Sequence, residues 1–157
     1  MRTAFQSFAS VFGILLVFIY AIGAGVWTNT GDNWYRSLTA PTWQPPDFIF
    51  GLIWPYNFVV LGFAAVAVAS NLSMAKTITY LSLFAISVAC ALSWAYQFYR
   101  PHNLELASIA LAGTAIFTLP MMILIYQASI AVFIATIPYQ LWVITASFLS
   151  ASYARLN

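Results

Sequence analysis

The chain has 157 residues, of which 63% are hydrophobic and only 5% are charged. Soluble domains carry about 25% charged residues, so this composition excludes a soluble globule and predicts an integral membrane protein. The net charge of +2 is too small for a nucleic-acid partner, and the length predicts a single domain over residues 1–157. The single cysteine, Cys90, excludes an internal disulfide, and its apolar neighbours indicate a packing role.

The first predicted membrane span covers residues 5–27, where Gln6 and small hydroxyl side chains are the polar interruptions. Arg2 precedes the span, and residues 21–25 at its end are mostly small. A basic start, an apolar middle and a small-residue end also describe a cleaved signal peptide. The apolar run is long for a signal peptide, and four more spans follow it, so we expect this segment to remain as a helix.

The loop at residues 28–47 is the longest polar stretch of the chain. It combines large aromatic rings with prolines, namely Trp34, Tyr35, Trp43, Pro41, Pro45 and Pro46. Proline fixes one backbone angle, which makes the segment stiff. A stiff, aromatic and weakly charged segment between hydrophobic spans is expected to lie at a membrane boundary.

Four further spans are predicted after this loop, at residues 48–70, 77–99, 104–126 and 130–153. Three of them contain an internal proline, at Pro55, Pro120 and Pro138. Pro55 removes one helical hydrogen bond and is expected to bend its helix, which membrane helices tolerate. Short connections make sequence neighbours antiparallel. The predicted fold is an all-α membrane protein, a bundle of five transmembrane helices. An odd number of spans without an internal repeat disfavours a transporter built from two inverted halves.

Basic residues outside the spans predict the orientation. Arg2 and Lys76 lie at one membrane face, and Arg36, Arg100 and Arg155 lie at the other. Because cytoplasmic loops carry an excess of Lys and Arg, the first loop and the C-terminus are predicted to be cytoplasmic.

The cores of the predicted spans contain no Asp, Glu, Lys, Arg or His. Ionisable groups inside a membrane mark proton relays and ion-coupled pumps, so their absence from the sequence of the spans argues against proton-coupled transport and ion conduction. One His and one Cys cannot form a metal site within a single chain. A Ser-His-Asp arrangement is not credible, because Glu105, the nearest acid to His102, lies at the same helix start.

Aromatic and amide side chains are what remains inside the spans. They recur at helical spacing as Trp54, Asn57 and Phe58 on the second span, Trp94 and Gln97 on the third, and Tyr139, Trp142, Ala146 and Ser150 on the fifth. One interpretation is a packed core with aromatic belts at both membrane faces. The other is a flat apolar pocket with a few polar atoms, which is typical of a small-molecule site. The spacing alone favours neither interpretation.

The first loop and the last span carry the motifs of a known family. The loop reads W-Y-x-x-L-x-x-P-x-W-x-P-P from Trp34 to Pro46, with every specified position filled. Phe50 and Trp54 follow it, and the last span matches P-Y-x-x-W-x-x-x-A-x-x-L-N at Pro138, Tyr139, Trp142, Ala146 and Leu149. On these motifs, the length and the five spans, the chain resembles the TspO/MBR family of tryptophan-rich sensory proteins and translocator proteins.

The chain departs from the family pattern at several positions. The basic residue that usually precedes the first motif proline is Ala40 here, and the second-helix motif W-x-x-L-Y reads W-P-Y-N-F from Trp54 to Phe58. Two amides of the pattern, on the third and fifth helices, are replaced by Ala91 and Ser150. We expect the fold and the pocket to survive these changes and the choice of ligand to depend on them.

The resemblance implies a five-helix membrane bundle, commonly a homodimer, with a pocket between the helices under the first loop. It implies that the pocket binds tetrapyrroles such as protoporphyrin IX and heme, and in some members sterols, with no other cofactor required. Carried over by motif, Trp54 and Trp142 flank a porphyrin. The first loop and its hinge contribute Trp34, Trp43 and Phe50, and the remaining ligand-binding residues are Phe58, Trp94, Tyr139 and Ala146.

The function that this resemblance implies is a membrane receptor or sensor of tetrapyrroles. Three alternatives remain: an enzyme that degrades porphyrin in light, with Trp54 and Trp142 as its oxidisable residues; a translocator of tetrapyrroles or sterols; and a structural membrane protein without a ligand.

Two shorter patterns bear on partners. Leu149, Tyr153 and Arg155 fit the L/V-x₁₋₅-Y-x₁₋₅-K/R pattern proposed for cholesterol contact. Ala85 and Ala89 form a small-residue face on the third span, of the kind that packs membrane helices into dimers.

Overall fold

The computed structural model describes residues 2–157, apart from the side chain of Arg2, so the predicted position of that charge lies outside the described residues. Within them the chain forms α1 (Arg2–Trp27), α2 (Asn33–Ser37), α3 (Asp47–Asn71), α4 (Met74–Tyr99), α5 (Leu104–Ala128) and α6 (Ile130–Leu156). Five of these helices are long and apolar enough to cross a membrane. The predicted bundle of five transmembrane helices is therefore confirmed, and the short α2 inside the first loop was not predicted.

Polar side chains begin three of the long helices. Ser73 precedes α4, Asn103 precedes α5 and Ser129 precedes α6, and each accepts a hydrogen bond from a backbone N–H three residues later. These caps satisfy N–H groups that the first turn of a helix leaves unpaired, so very short turns suffice between the spans. The chain stays helical through its three internal prolines. The predicted bend at Pro55 stays a prediction.

The five long helices form a closed ring. α1 packs against α3 and α4, α4 packs against α5, α5 against α6, and α6 against α3. α3 also contacts α4 and α5, which places it nearest to the centre. Small residues permit this close approach: Gly13 of α1 lies directly against Ala65 of α3, with no room for a side chain.

The first loop lies on the end of the bundle where α4 and α6 finish. Asp32 caps α2 by accepting the backbone N–H of Trp34 at 2.9 Å. Asn157, at the end of the chain, accepts the N–H of Thr39 at 2.8 Å and donates to the Thr39 carbonyl at 3.2 Å. The first loop is therefore docked on this end of the bundle. Asn157 holds its middle, and Asp32 stabilises the short helix α2 within it.

Candidate ligand site

Aromatic rings from three helices meet inside the bundle. They are Tyr20 on α1, Phe50, Trp54 and Phe58 on α3, and Trp142 on α6, and we refer to them as the inner cluster. The Trp54 and Trp142 rings lie 6.5 Å apart at an interplanar angle of 89°, so the edge of one meets the face of the other. Phe50 meets Trp142 in the same manner at 5.1 Å. Four of the predicted ligand-binding residues are thus brought into one contact network, in which Trp142 is buried and the other three are partly buried.

Helical spacing explains why α3 supplies three of these rings. Phe50, Trp54 and Phe58 are four residues apart and therefore lie on one side of the helix. Tyr20 completes the cluster, with its ring 5.3 Å from Phe58 and 6.0 Å from Trp54. Sequence reasoning missed Tyr20. Its four-residue spacing from Leu16, which is also buried, was the signal that could have found it.

Several polar atoms around the inner cluster have no hydrogen-bond partner among the residues that the structure describes. Trp142 is 8% exposed, and its indole N–H is unpaired. Both amide atoms of Asn57 are unpaired as well. Tyr139, a predicted site residue, is buried with its hydroxyl close to that of Tyr20, which has no other partner among the described residues. Buried polar groups in proteins are nearly always hydrogen-bonded, so the atoms of Trp142 and Asn57 need partners that the described residues do not supply.

The bundle interior holds amides at two positions where the quoted family motifs have none. Asn57 on α3 is fully buried, and Gln140 on α6 is 7% exposed. The Gln140 Nε2 donates to the Ala115 carbonyl at 3.1 Å, while its Oε1 is unpaired within the described part of the chain. The two positions that lost their family amides, Ala91 and Ser150, are also buried. The interior therefore keeps amide groups, but at changed places.

A second aromatic group joins the first loop to the end of the bundle. It consists of Trp34, Tyr35, Trp94, Phe98, Tyr99 and Tyr153, and we refer to it as the lid cluster. Trp34 stacks on His102 with ring centroids 3.6 Å apart and planes 9° from parallel. The Tyr153 hydroxyl donates to Gln44 Oε1 and lies 3.5 Å from the Tyr35 hydroxyl. This network, including His102, was not predicted.

The structure divides the predicted ligand-binding residues between these two clusters. Trp34 and Trp94 belong to the lid cluster, and Phe50 packs against both clusters. Trp43 is 48% exposed and belongs to neither. Ala146 is half-buried on α6, one turn beyond Trp142. Most of these predicted residues therefore lie in two aromatic layers that meet at Phe50, and their binding of a ligand stays a prediction.

The structure also places the residues of the sterol pattern and of the small-residue face on the third span. Leu149 and Tyr153 are buried against the lid cluster, and Arg155 is exposed at the end of α6. The apolar members of the sterol pattern therefore contact protein. On α4, Ala89 is exposed while Ala85 is partly buried.

Two open grooves lie on the outer surface of the bundle. One, of about 380 Å³, lies between α3 and α6 and is lined by Ile49, Leu52, Ile53, Tyr56 and Pro138. The other, of about 300 Å³, lies between α1 and α4. The rings of the inner cluster line neither groove, because they are packed against one another.

These features define a class of multi-pass membrane protein. It has a ring of five membrane-crossing helices, a docked aromatic loop and a tryptophan pair between the helices. The sequence profile of the TspO/MBR family matches residues 5–156. The chain belongs to this TspO/MBR family, whose members carry the names of membrane sensors and translocators.

Three relatives illustrate the similarity. The "Uncharacterized membrane protein YtaB" of Bacillus subtilis (strain 168) is 28% identical over 94% of this chain and 97% of its own. The "Tryptophan-rich sensory protein" of Cereibacter sphaeroides is 25% identical over 92% of this chain and 91% of its own. The "Translocator protein" of Bos taurus is 24% identical over 82% of this chain and 78% of its own.

Proposed function

We propose that this protein is a membrane receptor or sensor that binds tetrapyrroles, such as porphyrin or heme, or similarly flat hydrophobic ligands at the inner cluster beneath the first loop. The observation that carries the proposal is the meeting of Phe50, Trp54, Phe58 and Trp142 in one contact network beside unpaired buried polar atoms. A few polar atoms in an apolar aromatic surrounding are the usual composition of a small-molecule site.

A porphyrin is a wide, flat aromatic system, and its stacking on indole rings is the interaction that the inner cluster offers. Offset stacking stabilises an aromatic pair by about 0.5–1.5 kcal/mol beyond the area it buries. A flat ligand held between two indoles needs both planes parallel to its own. Trp54 and Trp142 meet at 89°, so binding to both faces requires one indole to turn. The stiff first loop reduces the entropy that is lost when the site closes over a ligand.

A porphyrin titration in the dark tests this proposal. We expect protoporphyrin IX to quench the tryptophan fluorescence of the purified protein, and Trp142→Ala to weaken its binding at least about tenfold, since the variant loses both a stacking face and buried area. Trp27→Phe is the matched control, because Trp27 pairs with Tyr96 at the end of α1, outside the inner cluster. Absence of quenching in folded wild-type protein, or equal affinity in the two variants, contradicts the proposal.

A second function, light-dependent degradation of porphyrin, is favoured by the serial contacts of Trp142, Trp54 and Tyr20, which are all oxidisable rings. In this reaction the light-excited porphyrin takes an electron from the adjacent indole, and dissolved dioxygen is the oxidant that product formation consumes. The function requires new product absorbance under illumination in air, diminished by Trp54→Phe with binding retained. Bleaching at the rate seen without protein excludes it.

A third function, translocation of tetrapyrroles or sterols, is consistent with the groove between α3 and α6, which lies on the outer side of the helices that carry Trp54 and Trp142. It requires flux of protoporphyrin IX across vesicles that contain the protein. Flux no faster than in empty vesicles excludes it.

The proposed oligomer is a homodimer, and the exposed Ala89 marks a small-residue face of α4 on which a second copy could pack. The expected outcome is a dimer mass by light scattering in detergent. Replacement by a larger residue, Ala89→Leu, is expected to shift the mass toward the monomer.

A further inference from the structure

Asn57 is the most deeply buried polar side chain of α3. It is 0% exposed, and neither its Nδ2 nor its Oδ1 has a hydrogen-bond partner among the described residues. It follows Trp54 by three residues and precedes Phe58 by one, so its side chain shares the face of α3 that carries the inner cluster. In the family's second-helix motif this position is Leu, so the amide is a feature of this chain.

No group of the described residues lies within hydrogen-bonding distance of the Asn57 amide. Tyr20 packs its ring against both Trp54 and Phe58, which flank Asn57, and its hydroxyl lies close to that of Tyr139 and makes no bond to the amide. Inside a membrane there is no bulk water to supply the missing bonds, so an unpaired amide is costly there. An apolar residue of the same size would avoid that cost, which indicates that the amide has a partner outside the protein.

The chemistry of the site limits what that partner is. A carboxamide offers one acceptor and two donor hydrogens without a charge. The core of each membrane span contains no cation, so a carboxylate placed beside Asn57 would be an unpaired buried charge. Arg36 and Arg100, which could pair with a carboxylate, are exposed at the lid end of the bundle. The group that fits Asn57 is therefore uncharged: a ketone or ester carbonyl, or a hydroxyl.

We propose that Asn57 binds an uncharged hydrogen-bonding group of the hydrophobic ligand that occupies the inner cluster, and thereby makes the site selective for ligands that bear such a group. This rests on the proposed function, since it names the chemistry that the same site recognises.

Two porphyrins and two variants test the proposal. Protoporphyrin IX dimethyl ester carries uncharged ester carbonyls, whereas etioporphyrin carries only alkyl groups on the same aromatic ring. Asn57→Leu removes the amide with little change of volume. Thr118→Val is the matched control, because Thr118 is equally buried but its hydroxyl already donates to the Ala115 carbonyl at 2.9 Å.

We expect Asn57→Leu to weaken binding of the dimethyl ester about three- to tenfold, the effect of one net hydrogen bond, and to leave etioporphyrin binding unchanged. Thr118→Val should change neither affinity. Because the unliganded protein leaves the amide unpaired, Asn57→Leu should keep or raise the melting temperature in the absence of porphyrin.

Four results would overturn the proposal. Equal weakening of both porphyrins means that Asn57 acts through the shape of the site. No weakening of either, while both bind the wild type, means that the ligand does not reach Asn57, and the proposed function stands. A melting temperature lowered well below that of Thr118→Val means that the amide is a structural group of the unliganded protein. Failure of both porphyrins to bind the wild type removes the proposed function together with this inference.

Discussion

The inner cluster and the lid cluster are both aromatic, but their polar atoms behave differently. In the lid cluster the Tyr153 hydroxyl donates to Gln44, and the imidazole of His102 covers Trp34. In the inner cluster the indole N–H of Trp142 is unpaired within the described chain, and so are both amide atoms of the adjoining Asn57. The lid cluster has one buried atom of this kind, the indole N–H of Trp94, which lies on the α4 side of the cluster.

This difference is the one we expect between a structural region and the proposed binding region. Where the protein completes its own hydrogen bonds, removing one partner costs about 1–3 kcal/mol, so such contacts hold the loop in place. Where the protein leaves donors and acceptors without a partner inside a membrane, these groups are available to a ligand. Substitutions in the inner cluster should therefore change affinity, and substitutions in the lid cluster should change the order of the loop.

The largest expected effect separates the two clusters directly. Replacing Trp54 and Trp142 together by Leu removes two stacking faces and should weaken protoporphyrin IX binding about 10- to 100-fold, measured by absorbance titration in the dark. The matched pair Trp34→Leu with Trp94→Leu should change the affinity less than about threefold and should make the first loop more sensitive to protease. Equal losses of affinity in the two pairs would show that the clusters form one site, as the sequence motifs imply.

Much of the fold could be predicted from the sequence because membrane spans are defined by composition alone. All five spans follow from runs of about 20 apolar residues, and the helices extend past the predicted limits by only a few residues at either end. The contact of Trp54 with Trp142 follows from motifs on α3 and α6, since these helices are neighbours in the bundle.

Other parts of the site depend on tertiary geometry that periodicity does not encode. The stack of Trp34 on His102 requires the turn between α4 and α5 to face the loop, and it requires the left-handed backbone of His102, with φ of 60°. The exposure of Trp43 follows from a local turn after the buried Pro41. α2 is one turn and a half long, and its single signal is the cap at Asp32.

The next largest effect concerns the hydroxyl of Tyr153. Tyr153→Phe keeps the ring but removes the donor to Gln44 and the contact with the Tyr35 hydroxyl, which should lower the stability of the docked loop by about 1–2 kcal/mol. Amide hydrogen exchange across residues 28–46 should accelerate about 5- to 30-fold. Tyr126→Phe, at the opposite end of the bundle, should leave this exchange unchanged. Unaltered loop exchange in Tyr153→Phe would contradict the assignment of a structural role.

A smaller effect is expected at His102. His102→Ala removes the ring that covers Trp34 and should destabilise the loop by about 1 kcal/mol, as measured by thermal unfolding and by the fluorescence of Trp34. The backbone of His102 is left-handed, which Asn tolerates better than Ala does. His102→Asn therefore separates the two causes, since full recovery in Asn would assign the effect to the backbone and show that the stack does not hold the loop.

The smallest effect is expected at the end of the chain. The side chain of Asn157 pairs with both backbone groups of Thr39, but these atoms are exposed to water, so the net contribution of each bond is small. Asn157→Ala should weaken loop docking by about 0.5 kcal/mol, seen as roughly twofold faster exchange of the Thr39 amide. Asn71→Ala is the control, because the Asn71 amide bonds within α3 at the opposite membrane face. If Asn157→Ala instead reduced porphyrin affinity by a larger factor than it accelerated exchange, the first loop would act on the ligand directly. The division between a structural lid cluster and a ligand-binding inner cluster would then be wrong.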